Sequence, residues 1–407
     1  MSGVPTTMMR FAILALLFIC SVSTTRAADI SVVGSGGTGK ESISLADLRA
    51  SGDAGQIFAH TLKADLERSG WFTVGTGRYE TLRVSGTAQA SADALRTQIE
   101  VSWPKGRFAW GESTRTRSEA RWQAHRLSDE IVRRVLGKTG MAASRIAMIG
   151  KHDGSDVYLC DSDGANMVRL TQDRVNSLSP YWHPDGSHIF YTTFIRGYPC
   201  IYRVPATGGS RVPLAQFAGL NTGGAVSPDG TWLALILSLP GNPELYLLNL
   251  HTKRLTRLTN TPRAAEASPC WSPDGQSIAY VSDASGSPQV YTIRADNKQP
   301  RRLTIRGREN VAPSWGPDGR IVCCTRQNGY QIALVDPATG HSEVITSGPD
   351  HEDPSWAPDG RHIVCSRSTG RRRSAIVVLD TQGDPPVTLF SREGHWVSPE
   401  WSSRLVK

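Results

Sequence analysis

The feature that most constrains this chain is a Pro-Asp-Gly tripeptide that recurs five times. It occurs at Pro184-Asp185-Gly186, Pro228-Asp229-Gly230, Pro273-Asp274-Gly275, Pro317-Asp318-Gly319 and Pro358-Asp359-Gly360, with spacings of 41 to 45 residues. A Trp stands two residues before the Pro in four of the five copies, and Trp401 continues the same phase without a sixth tripeptide. The chain therefore contains six periods of one structural unit.

Each period contains four short apolar runs separated by turn residues, as in 278–282, 289–293, 301–304 and 312–315. Pro fixes φ, Asp and Gly favour a tight turn, and we expect the Trp to pack between neighbouring units. Four strands in about 41 to 45 residues are typical of a propeller blade. We therefore predict an all-β, six-bladed β-propeller over residues 141–407, with the mode of ring closure left open.

The residues before the propeller lack this period and predict a small α/β domain at 28–140. Ser42-Leu45, Leu82-Val84 and Ile99-Val101 have strand patterns, whereas Ala54 to Arg68 and Glu119 to Leu136 have the apolar spacing of helices.

The N-terminus predicts export. Arg10 precedes the uncharged run from Phe11 to Cys20, and the small residues Thr25 and Ala27 fit cleavage after Ala27. Residues 1–27 are therefore interpreted as a signal peptide. An uncleaved anchor would be short for a bilayer, and the bulky Ile19 disfavours lipidation of Cys20.

Composition excludes several classes of protein. Forty-five Lys and Arg against 37 Asp and Glu give a net charge of +8, which is dispersed along the chain, so we expect no nucleic-acid partner. The densest basic run, Arg371-Arg372-Arg373, is interpreted as a hairpin turn. Six cysteines remain after the leader, and we interpret them as small buried residues; pairing in an oxidising compartment stays open.

Three segments carry residue types that also serve as ligands for phosphate or metal. Gly34 to Lys40 nearly matches a phosphate-binding loop, but Glu41 replaces the Ser or Thr that binds magnesium, so we interpret it as a flexible loop. Asp161-Ser162-Asp163-Gly164 is interpreted as a hairpin, with a calcium loop as the alternative. Asp350-His351-Glu352-Asp353, joined by His395, is interpreted as solvated loop charge, with a metal site as the alternative. We predict no cofactor.

The Trp-Ser-Pro-Asp-Gly repeats and the export signal occur together with two N-terminal motifs. These are Asp65-Leu66-Glu67-Arg68-Ser69-Gly70-Trp71-Phe72 and Ala124-His125-Arg126-Leu127-Ser128-Asp129-Glu130-Ile131. With them, the chain resembles the TolB family, the periplasmic propeller proteins of the Tol–Pal system. The resemblance covers essentially the whole mature chain.

The resemblance implies a non-enzymatic adaptor, monomeric and peripheral to membranes. It implies that a TolA-like inner-membrane protein engages the N-terminal segment Asp29, Ile30, Ser31, Val32 and Val33, which suits strand addition; an ordinary edge strand is the alternative. It also implies that a Pal-like, peptidoglycan-associated lipoprotein binds the loops that lead into the Trp-containing strands. The residues so implicated are Asn176, Leu220, Asn221, Thr222, Glu266, Ala267, Glu309, Asn310, Asp350, His351, Glu352 and His395.

This chain departs from the family pattern in its second loop, where Leu220-Asn221-Thr222-Gly223-Gly224 replaces the usual His-Asn-Gly-Ala-Pro. Two other functions remain open: a propeller hydrolase or lyase with a metal at His351, Glu352 and His395, and a propeller that senses a sugar or peptide.

Overall fold

The computed structural model describes residues 39–75, 80–91, 94–115, 117–152, 154–371, 373–390 and 394–403. The expected signal peptide and the segment Asp29, Ile30, Ser31, Val32 and Val33 lie outside these residues. The described residues form two compact units. One comprises residues within Ser35–Arg145 together with Cys160–Asn166, and the other comprises Ile146–Leu159 and residues within Met167–Ser403.

The first unit is a five-stranded sheet with two helices. Its elements are β1 (Glu41–Ser51), α1 (Gly52–Arg68), β2 (Phe72–Gly75), β3 (Leu82–Ser91), β4 (Ala94–Trp103), β5 (Gly106–Thr114) and α2 (Arg117–Leu136). The strand order is β2-β1-β3-β4-β5, with β1 parallel to β2 and β3 and the other pairs antiparallel. Both predicted helices are present, while β2 and β5 were not predicted.

The helices of this unit bury their apolar stripes. Phe58, Leu62 and Leu66 of α1 and Leu127 and Ile131 of α2 are fully buried in one cluster with residues of β1, β3 and β4. Residues at spacings of three and four lie on one helix face, so the sequence pattern and the buried face coincide.

The second unit contains only strands. They are β6 (Arg145–His152), whose first residue belongs to the other unit, β7 (Gly154–Asp161), whose last two residues also belong to the other unit, β8 (Val168–Arg169), β9 (Ser177–Trp182), β10 (His188–Thr193), β11 (Cys200–Pro205), β12 (Val212–Ala215), β13 (Asn221–Val226), β14 (Trp232–Leu237), β15 (Glu244–Asn249), β16 (Leu255–Arg257), β17 (Glu266–Trp271), β18 (Ser277–Ser282), β19 (Gln289–Arg294), β20 (Arg301–Arg302), β21 (Asn310–Trp315), β22 (Ile321–Arg326), β23 (Tyr330–Val335), β24 (Ser342–Val344), β25 (His351–Trp356), β26 (His362–Gly370), β27 (Arg373–Asp380), β28 (Val387–Phe390) and β29 (His395–Trp401).

The sheets of this unit follow the repeat. Four separate antiparallel sheets have four strands each, β9 to β12, β13 to β16, β17 to β20 and β21 to β24. The other eight strands form one sheet, in which β29 pairs antiparallel with β6 and β28 pairs with β27. Strand pairing therefore gives four separate blades rather than the six predicted. The reason is a single parallel pair, Ser374 with His395, which joins β27 to β29.

The Pro-Asp-Gly tripeptides form the turns between the first and second strands. In each, the Asp Oδ1 accepts a hydrogen bond from the backbone N–H two residues later, as from Ser187 to Asp185 at 2.8 Å and from Gln276 to Asp274 at 3.0 Å. The Gly that follows has a positive φ, for example 73° at Gly186. This is the turn that the sequence predicts.

A second repeated device holds the fourth strand against the third. Thr171, Thr259, Thr304 and Thr346 occupy equivalent positions, and each hydroxyl accepts a hydrogen bond from a third-strand backbone N–H at 2.8 to 3.0 Å. The fourth strands are only two to four residues long, so a side-chain hydrogen bond at their end replaces ladder bonds that such short strands cannot make.

The described cysteines are unpaired, and all but the half-buried Cys270 are buried. Cys324 and Cys365 occupy the position that holds Tyr191 and Tyr280 in other second strands. Each of these four side chains is at most 2% exposed, so the interpretation as small core residues is correct for this pair.

Candidate partner-binding rim

The loops implicated in partner binding all end at the first residue of a first strand. These residues are Ser177, Asn221, Glu266, Asn310, His351 and His395, which begin β9, β13, β17, β21, β25 and β29. The six first strands contact one another in cyclic order, since β29 contacts both β25 and β9. Loops that lead into neighbouring strands of one ring open on the same end of it, and we call this set of loops the rim.

Four of the implicated residues are buried. Asn221, Glu266, Asn310 and His351 are each at most 2% exposed. Asn221 accepts a hydrogen bond from Phe217 N at 2.9 Å and donates one to Phe217 O at 2.8 Å. Asn310 Nδ2 donates to Arg306 O at 2.7 Å. The two asparagine side chains thus fix the loops rather than face solvent.

The remaining implicated residues are accessible. Asn176 and Glu352 are exposed, and six others are half-buried: Leu220, Thr222, Ala267, Glu309, Asp350 and His395. Among these, Glu309 accepts hydrogen bonds from Arg326 at 2.9 Å and from the Tyr330 hydroxyl at 3.0 Å. The surface available to a partner is therefore smaller than the sequence predicts.

A bulge follows the start of every first strand. The pairing register shifts there, and the residue three positions before the Trp position has a positive φ of 46° to 71° in all six strands. These residues are Ser179, Gly223, Ser268, Ala312, Asp353 and Ser398. A bulge re-aims the side chains beside it. Gly223, part of the departure from the family pattern, adopts this conformation without the steric cost that a side chain brings.

The rim contains carboxyl groups with perturbed acidity. Although Glu352 is exposed to solvent, desolvation by the surrounding protein and the charges of Asp353 and Asp350 raise its pKa to about 7. Desolvation lowers the pKa values of His351 and His395 to about 4. At neutral pH both imidazoles are therefore uncharged, and Glu352 is only partly ionised.

The rim histidines have partners of their own. His351 Nδ1 lies 2.8 Å from the carbonyl O of Pro349, so it carries the proton and donates, and His395 Nδ1 lies 3.0 Å from Ser374 Oγ. In the part of the chain that the structure describes, only one group, His125, Asp161 and Asp163, brings three ligand atoms within 4.8 Å of one another. His351, Glu352 and His395 do not form such a group, and a hydrolase or lyase with a metal at these residues would require one.

The His125 group is an ion-pair network. His125 Nδ1 lies 2.6 Å from Asp65 Oδ2, and its Nε2 lies 3.9 Å from Asp163 Oδ2. Arg121 and Arg68 pair with Asp163, and Arg145 lies 3.4 Å from Asp161. Guanidinium groups already neutralise these carboxylates, which disfavours calcium there. Gly164 N donates to Asp161 O at 2.8 Å, as in the expected hairpin turn.

The repeat, the sheets and the first strands define a β-propeller protein. The chain belongs to the TolB beta propeller domain family, whose sequence profile matches residues 132–405. None of the helices in the described ranges combines the length and apolar character required to cross a bilayer.

Curated relatives and solved structures agree with this family. The Tol-Pal system protein TolB of Anaeromyxobacter dehalogenans strain 2CP-1 is 32% identical over 258 residues, which are 56% of this chain and 59% of that protein. The TolB of Bordetella pertussis is 29% identical over 47% of this chain and 49% of its own. The chain thus spans about half to three fifths of the length of the curated relatives it matches.

The structure is similar to that of TolB from Acinetobacter baumannii, with 25% identity and a TM-score of 0.78 over 92% of this chain and 99% of that one. A putative TolB from Agrobacterium tumefaciens, 23% identical with a TM-score of 0.50, covers 62% of this chain and 90% of its own and shows the fold alone.

Proposed function

We propose that this chain is a non-enzymatic adaptor of the Tol–Pal system that acts in the periplasm and supports outer-membrane integrity and cell division. The observation that carries the proposal is the rim. Equivalent loops from successive repeats open on one end of a ring of first strands. Relatives named Tol-Pal system protein TolB support a partner from that system. Mixed polar and apolar loops on one surface suit a transient protein interface.

The domain organisation proposed with this function is a signal peptide at 1–27, an α/β domain at 28–140 and a six-bladed propeller at 141–407. The six-blade count treats the eight-stranded sheet as two blades, β25 to β28 and β29 with β6 to β8. The cyclic contacts of the six first strands support this division. The C-terminal strand β29 would then close the ring against β6.

The proposed partners are two. A Pal-like lipoprotein binds the accessible rim residues Asn176, Leu220, Thr222, Ala267, Glu309, Asp350, Glu352 and His395, with Asn221, Glu266, Asn310 and His351 holding the loops in place. A TolA-like inner-membrane protein binds Asp29 to Val33 by strand addition. Occupancy of the rim and release of the N-terminal segment are coupled, so that each partner biases binding of the other.

Binding of a purified, lipid-free Pal domain to residues 28–407 tests the rim. The variant Asn176→Ala, Thr222→Ala, Glu352→Gln changes three accessible rim side chains. We expect it to weaken binding about tenfold or more. The matched control, His251→Ala with Arg254→Ser, changes the β15–β16 turn at the far end of the strands and should bind like the wild type. Equal loss in both variants, or no binding by the wild type, contradicts the proposal.

A further inference from the structure

The loop between β20 and β21 carries an unusually exposed apolar side chain. Ile305 is 73% exposed, the highest value among the large hydrophobic residues that the structure describes. Arg306 and Arg308, on either side of Gly307, are exposed as well. Burial of this isoleucine, which precedes the two cations in the chain, would be favourable in free energy if a partner covered it.

The backbone of this loop is fixed at both ends. Thr304 Oγ1 accepts a hydrogen bond from Val290 N at 2.9 Å, Asn310 Nδ2 donates to Arg306 O at 2.7 Å, and Arg308 N donates to Arg326 O at 3.2 Å. Because the loop is already ordered, little conformational entropy is lost when a partner contacts Ile305. Residues that contribute strongly to binding affinity share this property.

The charge that this loop presents outward is positive. The Glu309 carboxylate accepts hydrogen bonds from Arg326 and from the Tyr330 hydroxyl. Asp350 Oδ1 accepts a hydrogen bond from Tyr330 N at 2.9 Å. No carboxylate among the described residues lies in ion-pair distance of the Arg306 or Arg308 guanidinium. The Glu309 and Asp350 carboxylates therefore have partners within the protein, while the two arginines are available to a partner.

Other exposed apolar side chains occur at the same end of the strands. Ile195 and Tyr198 lie in the β10–β11 turn and Leu239 lies in the β14–β15 turn, with exposures of 36%, 41% and 43%. Turns between second and third strands open at the end where the loops into the first strands also open. Apolar contact area is thus available on this end from more than one repeat.

We infer that the 303–309 loop is the anchor of the rim for an acidic protein partner, with Ile305 entering an apolar pocket bordered by carboxylates that pair with Arg306 and Arg308. Guanidinium groups match carboxylates in a two-pronged geometry, and an apolar side chain at the centre of a charged border excludes water from those pairs. This inference rests on the proposed function and names the chemistry of the partner surface.

The test measures binding of the lipid-free Pal domain from the same organism to residues 28–407 at several salt concentrations. We expect Ile305→Ala to weaken binding about tenfold or more. Arg306→Ser with Arg308→Ser should weaken it similarly at low salt and flatten the salt dependence. The matched controls are Val212→Ala, 44% exposed on an outer strand, and Arg254→Ser, and both should bind like the wild type.

Three outcomes overturn the inference, and they separate it from the proposed function. If the wild type binds Pal and all variants bind equally well, the rim has a partner but the 303–309 loop is not its anchor. If the wild type binds no Pal, the proposed function fails with it. If the variants instead lose binding to phosphatidylglycerol vesicles while binding of Pal is unchanged, the loop contacts a lipid surface rather than an acidic protein.

Discussion

The indole Nε1 of Trp182 donates a hydrogen bond to the carbonyl O of Glu400 at 3.0 Å, across 218 residues of sequence. Trp271 Nε1 makes the equivalent bond to Ala225 O at 3.0 Å. At Trp182 and Trp271 the indole therefore links a first strand to the preceding one, and at Trp182 this link joins β9 to the C-terminal strand β29. Trp315 Nε1 instead donates to Gly319 O in its own turn, at 3.0 Å.

Weakening this link should destabilise the propeller. Trp182→Phe removes the N–H donor and part of a buried ring, and we expect it to lower the free energy of unfolding by about 1–3 kcal/mol in urea titrations. Truncation after Gly394 removes β29 and should abolish the cooperative transition in calorimetry. A truncated chain that unfolds like the full one would contradict closure by β29.

The second rim loop offers a matched pair of glycines. Gly223 has a φ of +71°, and a Cβ there would lie 2.9 Å from Pro269 Cδ, whereas a Cβ at Gly224 would meet nothing closer than 3.8 Å. Gly223→Ala should therefore destabilise by about 1–2 kcal/mol or more, and Gly224→Ala by much less. Equal melting temperatures for the two variants would contradict a requirement for glycine at position 223.

In the first unit, we expect removal of the buried Asp65 carboxylate to lower the free energy of unfolding strongly, and removal of the exposed Glu67 carboxylate to lower it only slightly. Asp65→Asn removes the partner of His125 and Arg68 in a buried site and should cost about 3–5 kcal/mol. Glu67→Gln, on the same helix, changes only an exposed pair with Lys63 at 4.0 Å and should cost less than about 1 kcal/mol. Chemical denaturation of both variants measures the difference.

Stability of the second unit should fall at alkaline pH because of His362. Desolvation lowers the pKa of His362, but Asp359 at 2.6 Å and Asp380 at 3.5 Å outweigh it and raise the pKa to about 9. Arg361 is a cation near this site and pairs with Asp380. A raised folded-state pKa gives stability that is full below about pH 6.5 and is lost as the pH rises through about 9.

The His362→Gln variant tests this window. It should be less stable than the wild type at pH 6, by an amount on the order of 3 kcal/mol, and the difference should shrink toward pH 9 and above. The exposed His341→Gln serves as the control and should follow the wild-type pH profile. A difference between wild type and His362→Gln that is constant from pH 6 to pH 10 would contradict a charged His362.

Sequence periodicity was sufficient to predict the repeat, the Pro-Asp-Gly turns and both helices, because each depends on contacts within one repeat or on one helix face. It did not predict β5, in which buried and exposed residues alternate only weakly. It also did not predict the pairing of β27 with β29, which depends on one residue pair, Ser374 with His395. It also could not separate Asn221 and Asn310, which fix their loops, from Asn176, which is exposed, because an amide can serve either role.

The most direct test of the adaptor account compares two forms of the chain, residues 28–407 and residues 36–407, as bait in an extract of the cell envelope. The longer form should recover both a peptidoglycan-associated lipoprotein and an inner-membrane Tol component, and the shorter form should lose only the latter. Recovery of neither partner by the longer form would contradict the adaptor role, and equal recovery of both by the two forms would contradict binding of the inner-membrane component by the N-terminal segment.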